Sequence, residues 1–221
     1  MPMINKIGAR YPDVLLYCRT VVETGDYVTT GVTTYAEGDL IEVELPEYER
    51  FSLKEAVKIS VYSPVGLLVF RSTVIAVGEG SIVVLGSPQL ASRFGEVRQH
   101  PRVHIAVPGF VHAAGSGPDE SPVSITAENI SLGGIGFKVF EERDIDRICR
   151  LDLPLTDQLQ LACDIEIVRR EEKDTHLYYG AKFLSLPGDL VQSLRAYIMR
   201  RQVDLYYEHK RAEKRKNSQF S

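Results

Sequence analysis

Cysteine is scarce in this 221-residue chain: only Cys18, Cys149 and Cys163 occur, an odd number at wide spacing. None has a second Cys or a His at zinc-ligand spacing. The pattern argues against a disulfide framework and a structural zinc site, and the three read as small buried residues in a reducing cytosol. Long apolar runs are also missing. No stretch reaches the ~20 apolar residues of a membrane span, and Met1–Thr20 has no apolar core of signal-peptide length, so a cytoplasmic protein without membrane insertion is expected. A basic excess is absent too. Residues 1–97 carry 8 Lys and Arg against 12 Asp and Glu, and residues 98–221 are balanced, which argues against a partner that is a nucleic acid polymer. Only His209–Lys216 is strongly basic, as suits a solvated helix end.

The residues of an enzyme are missing as well. The five histidines are scattered; His100 and His104 lie four apart in an extended segment with no third ligand beside them. His112, His176 and His209 read as loop or surface residues. Glu141, Glu142, Asp144 and Asp146 read as a charged turn leading into Ile145–Leu153 rather than an acid/base pair.

What the sequence does have is strands. Val14–Val21, Tyr27–Tyr35, Leu40–Leu45, Ala56–Tyr62, Gly66–Val77 and Ser81–Leu85 are runs rich in β-branched and aromatic residues. Ala56–Tyr62 alternates apolar with polar, and Gly78-Glu79-Gly80 signals a hairpin. Gly, Ser, Pro and charges then cluster over Gly86–Val97, where a domain boundary is expected. Val103–Val111, Val123–Asn129, Ile135–Phe140, Leu159–Arg169 and Tyr178–Leu184 repeat the strand pattern, with Arg170–Thr175 as a charged connection. After Pro187 the period changes: Leu190, Leu194, Tyr197, Ile198 and Leu205 fit one amphipathic helix from Asp189 to about Lys214. The expected fold class is all-β with a C-terminal helix, built as two small β-barrels.

Two motifs carry chemistry. Val97-Arg98-Gln99-His100-Pro101-Arg102 places two arginines four apart in an extended stretch. Their planar forks suit phosphate oxygens and the O6/N7 edge of guanine. Asn129-Ile-Ser131-Leu-Gly133-Gly134-Ile-Gly136 lies between two strands of the same half. Asn and Ser offer short polar groups for a purine edge, and the glycines allow a positive-φ turn and close approach of a ring. Either motif alone would be an ordinary surface feature.

Taken together and in this order, the motifs resemble the signature of the PilZ domain, R-x-x-x-R followed by [D/N]-x-S-x-x-G. Tyr179-Gly180-Ala181-Lys182-Phe183 resembles the family's late G-x-x-F strand. The layout of residues 1–95, with Val61-Tyr-Ser-Pro-Val-Gly66, is similar to the N-terminal barrel of YcgR-type flagellar brake proteins. The resemblance implies an N-terminal split barrel over residues 1–95, a six-stranded PilZ barrel with its helix over 96–215, and a tail at 216–221. It implies no enzyme but a receptor for cyclic di-GMP. Arg98 and Arg102 would hold phosphates and guanine edges, Asn129 and Ser131 would bind guanine, and Gly133, Gly134 and Gly136 would give backbone approach. Val97 and Gln99 flank the first arginine, and Val97 stands where some members carry a further Arg, so one ligand per chain is favoured. The family also implies a protein partner such as a flagellar motor component, with recruitment to the flagellar basal body. The competing readings are a split-barrel flavin- or oligonucleotide-binding protein and a PilZ module that acts by protein contact without ligand.

Overall fold

Alternation of apolar and polar residues at period two lets a strand bury one face, and six such strands can close on themselves and leave no edge. The chain does this twice. The computed structural model describes residues 14–86, 100–113, 121–141 and 145–218, and the chain divides into two compact units, Met1–Gln99 and His100–Ser221.

The first unit contains β1 (Arg19–Glu23), β2 (Val28–Glu37), β3 (Leu40–Glu44), β4 (Ala56–Ser63), β5 (Gly66–Gly78) and β6 (Ser81–Leu85). All pairs are antiparallel, and the barrel closes in the order β1-β2-β3-β6-β5-β4. Its core holds Val22, Ile41, Val43, Ile59, Val61, Val74 and Ile82. The β5–β6 hairpin turns on Glu79 (φ 57°) and Gly80 (φ 83°), the two positive values that match the strands' right-handed twist. Polar groups taken inside are paired: Thr20 Oγ1 lies 2.7 Å from Thr33 Oγ1, and buried Glu42 accepts hydrogen bonds from Thr34 (2.9 Å) and Ser81 (2.7 Å). The first strand starts later than the sequence suggests. Val14–Tyr17 is a turn whose Leu15 plugs the core, so the apolar run there serves a buried turn rather than a ladder.

The second unit contains β7 (Val103–Ala113), β8 (Val123–Ser131), β9 (Gly134–Val139), β10 (Ile148–Thr156), β11 (Leu159–Lys173), β12 (His176–Phe183) and helix α1 (Gly188–Ser218). The six strands close in the order β10-β11-β12-β9-β8-β7 around Phe137, Leu151, Leu153, Leu161, Ile165 and Tyr179. Leu194 and Ile198 of α1 enter this core and Leu190 and Tyr197 pack against it, while the buried stripe continues at i+4 through Gln202 and Tyr206. Two expectations are corrected here. Arg170–Thr175 is no separate connection: ladder pairs from Arg170 to Lys173 carry β11 on to a tight Asp174-Thr175 turn. The segment Ile145–Leu153, to which the sequence reading assigns no strand, contains most of β10, which begins at Ile148 and runs to Thr156. His112 also lies within β7, 3.0 Å from the Asp152 carboxylate.

The three thiols are free and buried. Burial raises Cys18; burial, reinforced by Asp146 and Asp164, pushes Cys149 up to about 11; burial and Asp164 do the same to Cys163, also about 11. A thiolate is the reactive form. An aromatic disulfide reagent at about pH 8 is therefore expected to label no thiol in the native protein and all three after denaturation. Rapid labelling of the native chain would contradict the buried placement. Among the described residues no helix is long and apolar enough to cross a membrane, and no three His, Cys, Asp or Glu side chains group as metal ligands.

Candidate ligand-binding site

The pairing of β7 with β8 brings the two motifs together. Val103 lies opposite Ile130 and His104 opposite Asn129. Val103 and Ile130 point into the core, so His104, Asn129 and Ser131 take the other face of the sheet, where Ser131 is still buried, and Arg102 immediately precedes the Val103–Ile130 pair. On the next strands Asn129 pairs with Gly136 and Ser131 with Gly134, then Gly136 with Gly180 and Gly134 with Lys182. A row His104–Asn129–Gly136–Gly180 thus crosses four strands, and its second half is a floor without side chains.

Asn129 faces outward because of a bulge. Strict alternation would put Asn129 on the same face as Ala127, which is fully buried. The register shifts between Ala127 and Asn129, so Glu128 is the extra residue that turns Asn129 out. A second bulge between Ile167 and Arg169 leaves Ile167 packed against the core and sets Arg169 opposite Gly180.

Asn129 Nδ2 donates to Tyr178 Oη at 3.0 Å, and Asn129 Oδ1 is buried with no hydrogen-bond partner. Ser131 closes its own turn: Oγ donates to the Gly134 carbonyl (3.3 Å) and accepts from the Gly133 N–H (3.3 Å). Gly133 borders His100, whose Cδ2 would lie 3.6 Å from an added Cβ, so the segment leading to Arg102 runs against this turn. The positive-φ turn expected of the glycines is not what the structure shows. None of Gly133, Gly134 and Gly136 has a positive φ. A Cβ on Gly134 would come 2.1 Å from the Ala181 carbonyl oxygen, and one on Gly136 would come 2.1 Å from Tyr178 Oη and 2.7 Å from Asn129 Nδ2. Close approach of this chain's own groups, not turn geometry, requires glycine at positions 134 and 136. Arg102 is exposed. Val97, Arg98 and Gln99 lie outside the described residues.

Cations around the floor are largely answered by carboxylates. Lys182 (2.6 Å) and Arg147 (2.7 Å) grip Glu166, and their hydrogen bonds, Lys182 first, hold its carboxyl below the usual range. Arg169 does the same to Glu171, and Lys138 pairs with Glu128. Arg102 enters no such ion pair among the described residues.

Residues 96–200 match the family model of the PilZ domain. This part of the chain is a PilZ domain. The match spans both motifs and the first part of α1. Similar solved structures include the inhibitor of motility MotI/DgrA of Bacillus subtilis, at 13% identity and TM-score 0.42, covering 86% of this chain and 97% of that one. Another is YcgR of Escherichia coli in complex with c-di-GMP, at 12% identity and TM-score 0.44, covering 89% and 88%. The PilZ domain of that YcgR with c-di-GMP matches at 14% identity and TM-score 0.44, covering 52% and 98%. No curated protein sequence matches the chain.

Sequence reasoning missed Tyr178 and His100 as members of this surface. Tyr178 had a signal: Tyr179 and Ala181 are the apolar face of β12, so Tyr178, Gly180 and Lys182 must share the outer one. His100 had none, because the sequence does not say which turn its segment meets.

Proposed function

We propose that this chain is a cyclic di-GMP receptor, with the ligand seated on the outer face of β7, β8 and β9 beside the Gly136–Gly180 floor. Residues 96–215 form the ligand-binding domain and residues 1–95 the N-terminal barrel domain. Arg98 and Arg102 grip phosphate and the guanine O6/N7 edge, and Asn129 and Ser131 meet the base, with Gly133, Gly134 and Gly136 beneath. The observation that carries the reading is Asn129 Oδ1, a buried acceptor without a partner at the motif's base-reading position. Leaving such a group unmade costs about 1–3 kcal/mol, and guanine's N1–H and N2–H₂ are donors that can answer it. The exposed Arg102, immediately before the Val103–Ile130 pair, supplies the charge a phosphate needs.

The chain acts by binding rather than catalysis. Its arginine segment links the two domains, so a ligand that restrains that segment shifts the population of domain arrangements, by no more than its differential affinity for them. The output is a contact with a protein partner, for which a flagellar motor component is the leading candidate.

Titration calorimetry tests the ligand. Cyclic di-GMP is expected to bind with one ligand per chain at micromolar affinity or better, roughly −8 kcal/mol, while GTP and cyclic di-AMP bind far more weakly. At a hundredfold excess over Kd the ligand should add about 2.7 kcal/mol of stability to the PilZ unit. Absence of both heat and a thermal shift near millimolar ligand would overturn the proposal.

A further inference from the structure

Asn129 raises a difficulty that a carboxylate at the same place would not. A carboxylate has two equivalent acceptor oxygens, whereas a carboxamide has one acceptor and one donor end and a broad terminal torsion. A free asparagine must be fixed at the moment of binding, and that ordering subtracts from affinity. In this chain something holds it beforehand. Tyr178 stands opposite Lys138 in the β9–β12 ladder, yet its hydroxyl reaches diagonally to the space over Gly136, two residues along β9. There it accepts the Asn129 Nδ2–H hydrogen bond at 3.0 Å. Both groups meet directly above a residue with no side chain, and any Cβ on Gly136 would push them apart. The engaged end of the amide is the donor; the acceptor is the end left without a partner.

We infer that Tyr178 is a positioning residue of the cyclic di-GMP site, holding the Asn129 carboxamide over Gly136 with Oδ1 as the unpartnered acceptor end that guanine's donors would answer. The inference rests on the receptor reading above and adds Tyr178 to it. Tyr178→Phe keeps the six-membered ring and removes only the hydroxyl.

A double-mutant cycle read by calorimetry separates positioning from a general structural role. Tyr178→Phe is expected to weaken cyclic di-GMP binding about fivefold to tenfold, the size of one neutral hydrogen bond. In an Asn129→Ala background the same change should have no further effect, since nothing is left to position. In an Arg102→Ala background the two losses should multiply. In an Asn129→Asp background the loss should shrink, because either carboxylate oxygen can accept. A reading without ligand accompanies it: the Asn129 side-chain amide signals in a ¹H–¹⁵N spectrum, identified by their disappearance in Asn129→Ala, should shift in Tyr178→Phe. If the parent binds but Tyr178→Phe binds within twofold of it, or its effect multiplies fully with Asn129→Ala, Tyr178 has no positioning role. If the parent itself does not bind, the receptor reading and this one fall together.

Discussion

Arg102→Ala is expected to cost roughly tenfold to a hundredfold in cyclic di-GMP affinity while barely moving the melting temperature of the ligand-free protein. Arg102 is exposed, immediately precedes β7 and contributes nothing to either barrel core. Surface substitutions of this kind usually stay within about 0.5 kcal/mol in stability. Its guanidinium, by contrast, would meet phosphate and guanine through charge-assisted and partly bidentate hydrogen bonds, each worth about 1–3 kcal/mol of binding. Arg98→Ala should behave alike. Arg→Lys at either position should rescue only part of the loss, because a compact ammonium keeps the charge but not the planar fork. Ser131→Ala should cost less, since its hydroxyl is already spent on its own turn. If both arginine variants bind like the parent, or if they unfold the chain, the arginines are structural and the receptor mechanism fails.

Gly134→Ala should act on the opposite quantity and unfold the PilZ unit at a markedly lower temperature. The added methyl would lie 2.1 Å from the Ala181 carbonyl oxygen and 3.0 Å from Lys182 Cα, both backbone atoms of β12 that cannot rotate away. The β9–β12 ladder would have to part at a point where Gly134 pairs with Lys182. Overpacking of this kind costs about 1–3 kcal/mol. For a unit the size of His100–Ser221 the upper end of that range corresponds to a drop of roughly 10 °C or more. Gly133→Ala is the internal control. Its nearest neighbour would be His100 Cδ2 at 3.6 Å, an ordinary contact, and its φ is not positive, so the change should stay within about 0.5 kcal/mol. Calorimetric melting of the two variants side by side decides the point; equal melting temperatures would mean that the ladder can absorb the methyl.

These two residues also show where the sequence was readable and where it was not. Period-two alternation marks which segments are strands, because burying one face requires it, and Ala56–Ser63 or Val123–Ser131 could be read on that ground. The glycines after Ser131 could be seen to matter, but the sequence does not say what approaches them. A turn reading was natural for Gly133-Gly134, whereas the constraint comes from Ala181, some 47 residues away. Bulges were equally invisible. Nothing in Ala127-Glu128-Asn129 announces an extra residue, yet without it the amide would face the core. The apolar run at Val14–Tyr17 read as strand because a buried turn and a strand both need apolar residues, and only chain geometry separates them. The motifs of the candidate site were thus legible as an order of residues, while the surroundings of Asn129 and Gly133, with Tyr178 over Gly136 and His100 against Gly133, depend on pairings across the barrel.

Burial of every thiol has a practical consequence for the proposed switch. With Cys18, Cys149 and Cys163 sealed inside the barrels, a cysteine introduced on the surface has no native competitor for a nitroxide reagent. Val65, exposed in the β4–β5 turn, and Gln158, exposed in the β10–β11 turn, offer one attachment point on each barrel. Paired spin labels at Val65→Cys and Gln158→Cys would then report the distribution of interspin distances by dipolar spectroscopy, in otherwise unaltered protein, with and without nucleotide.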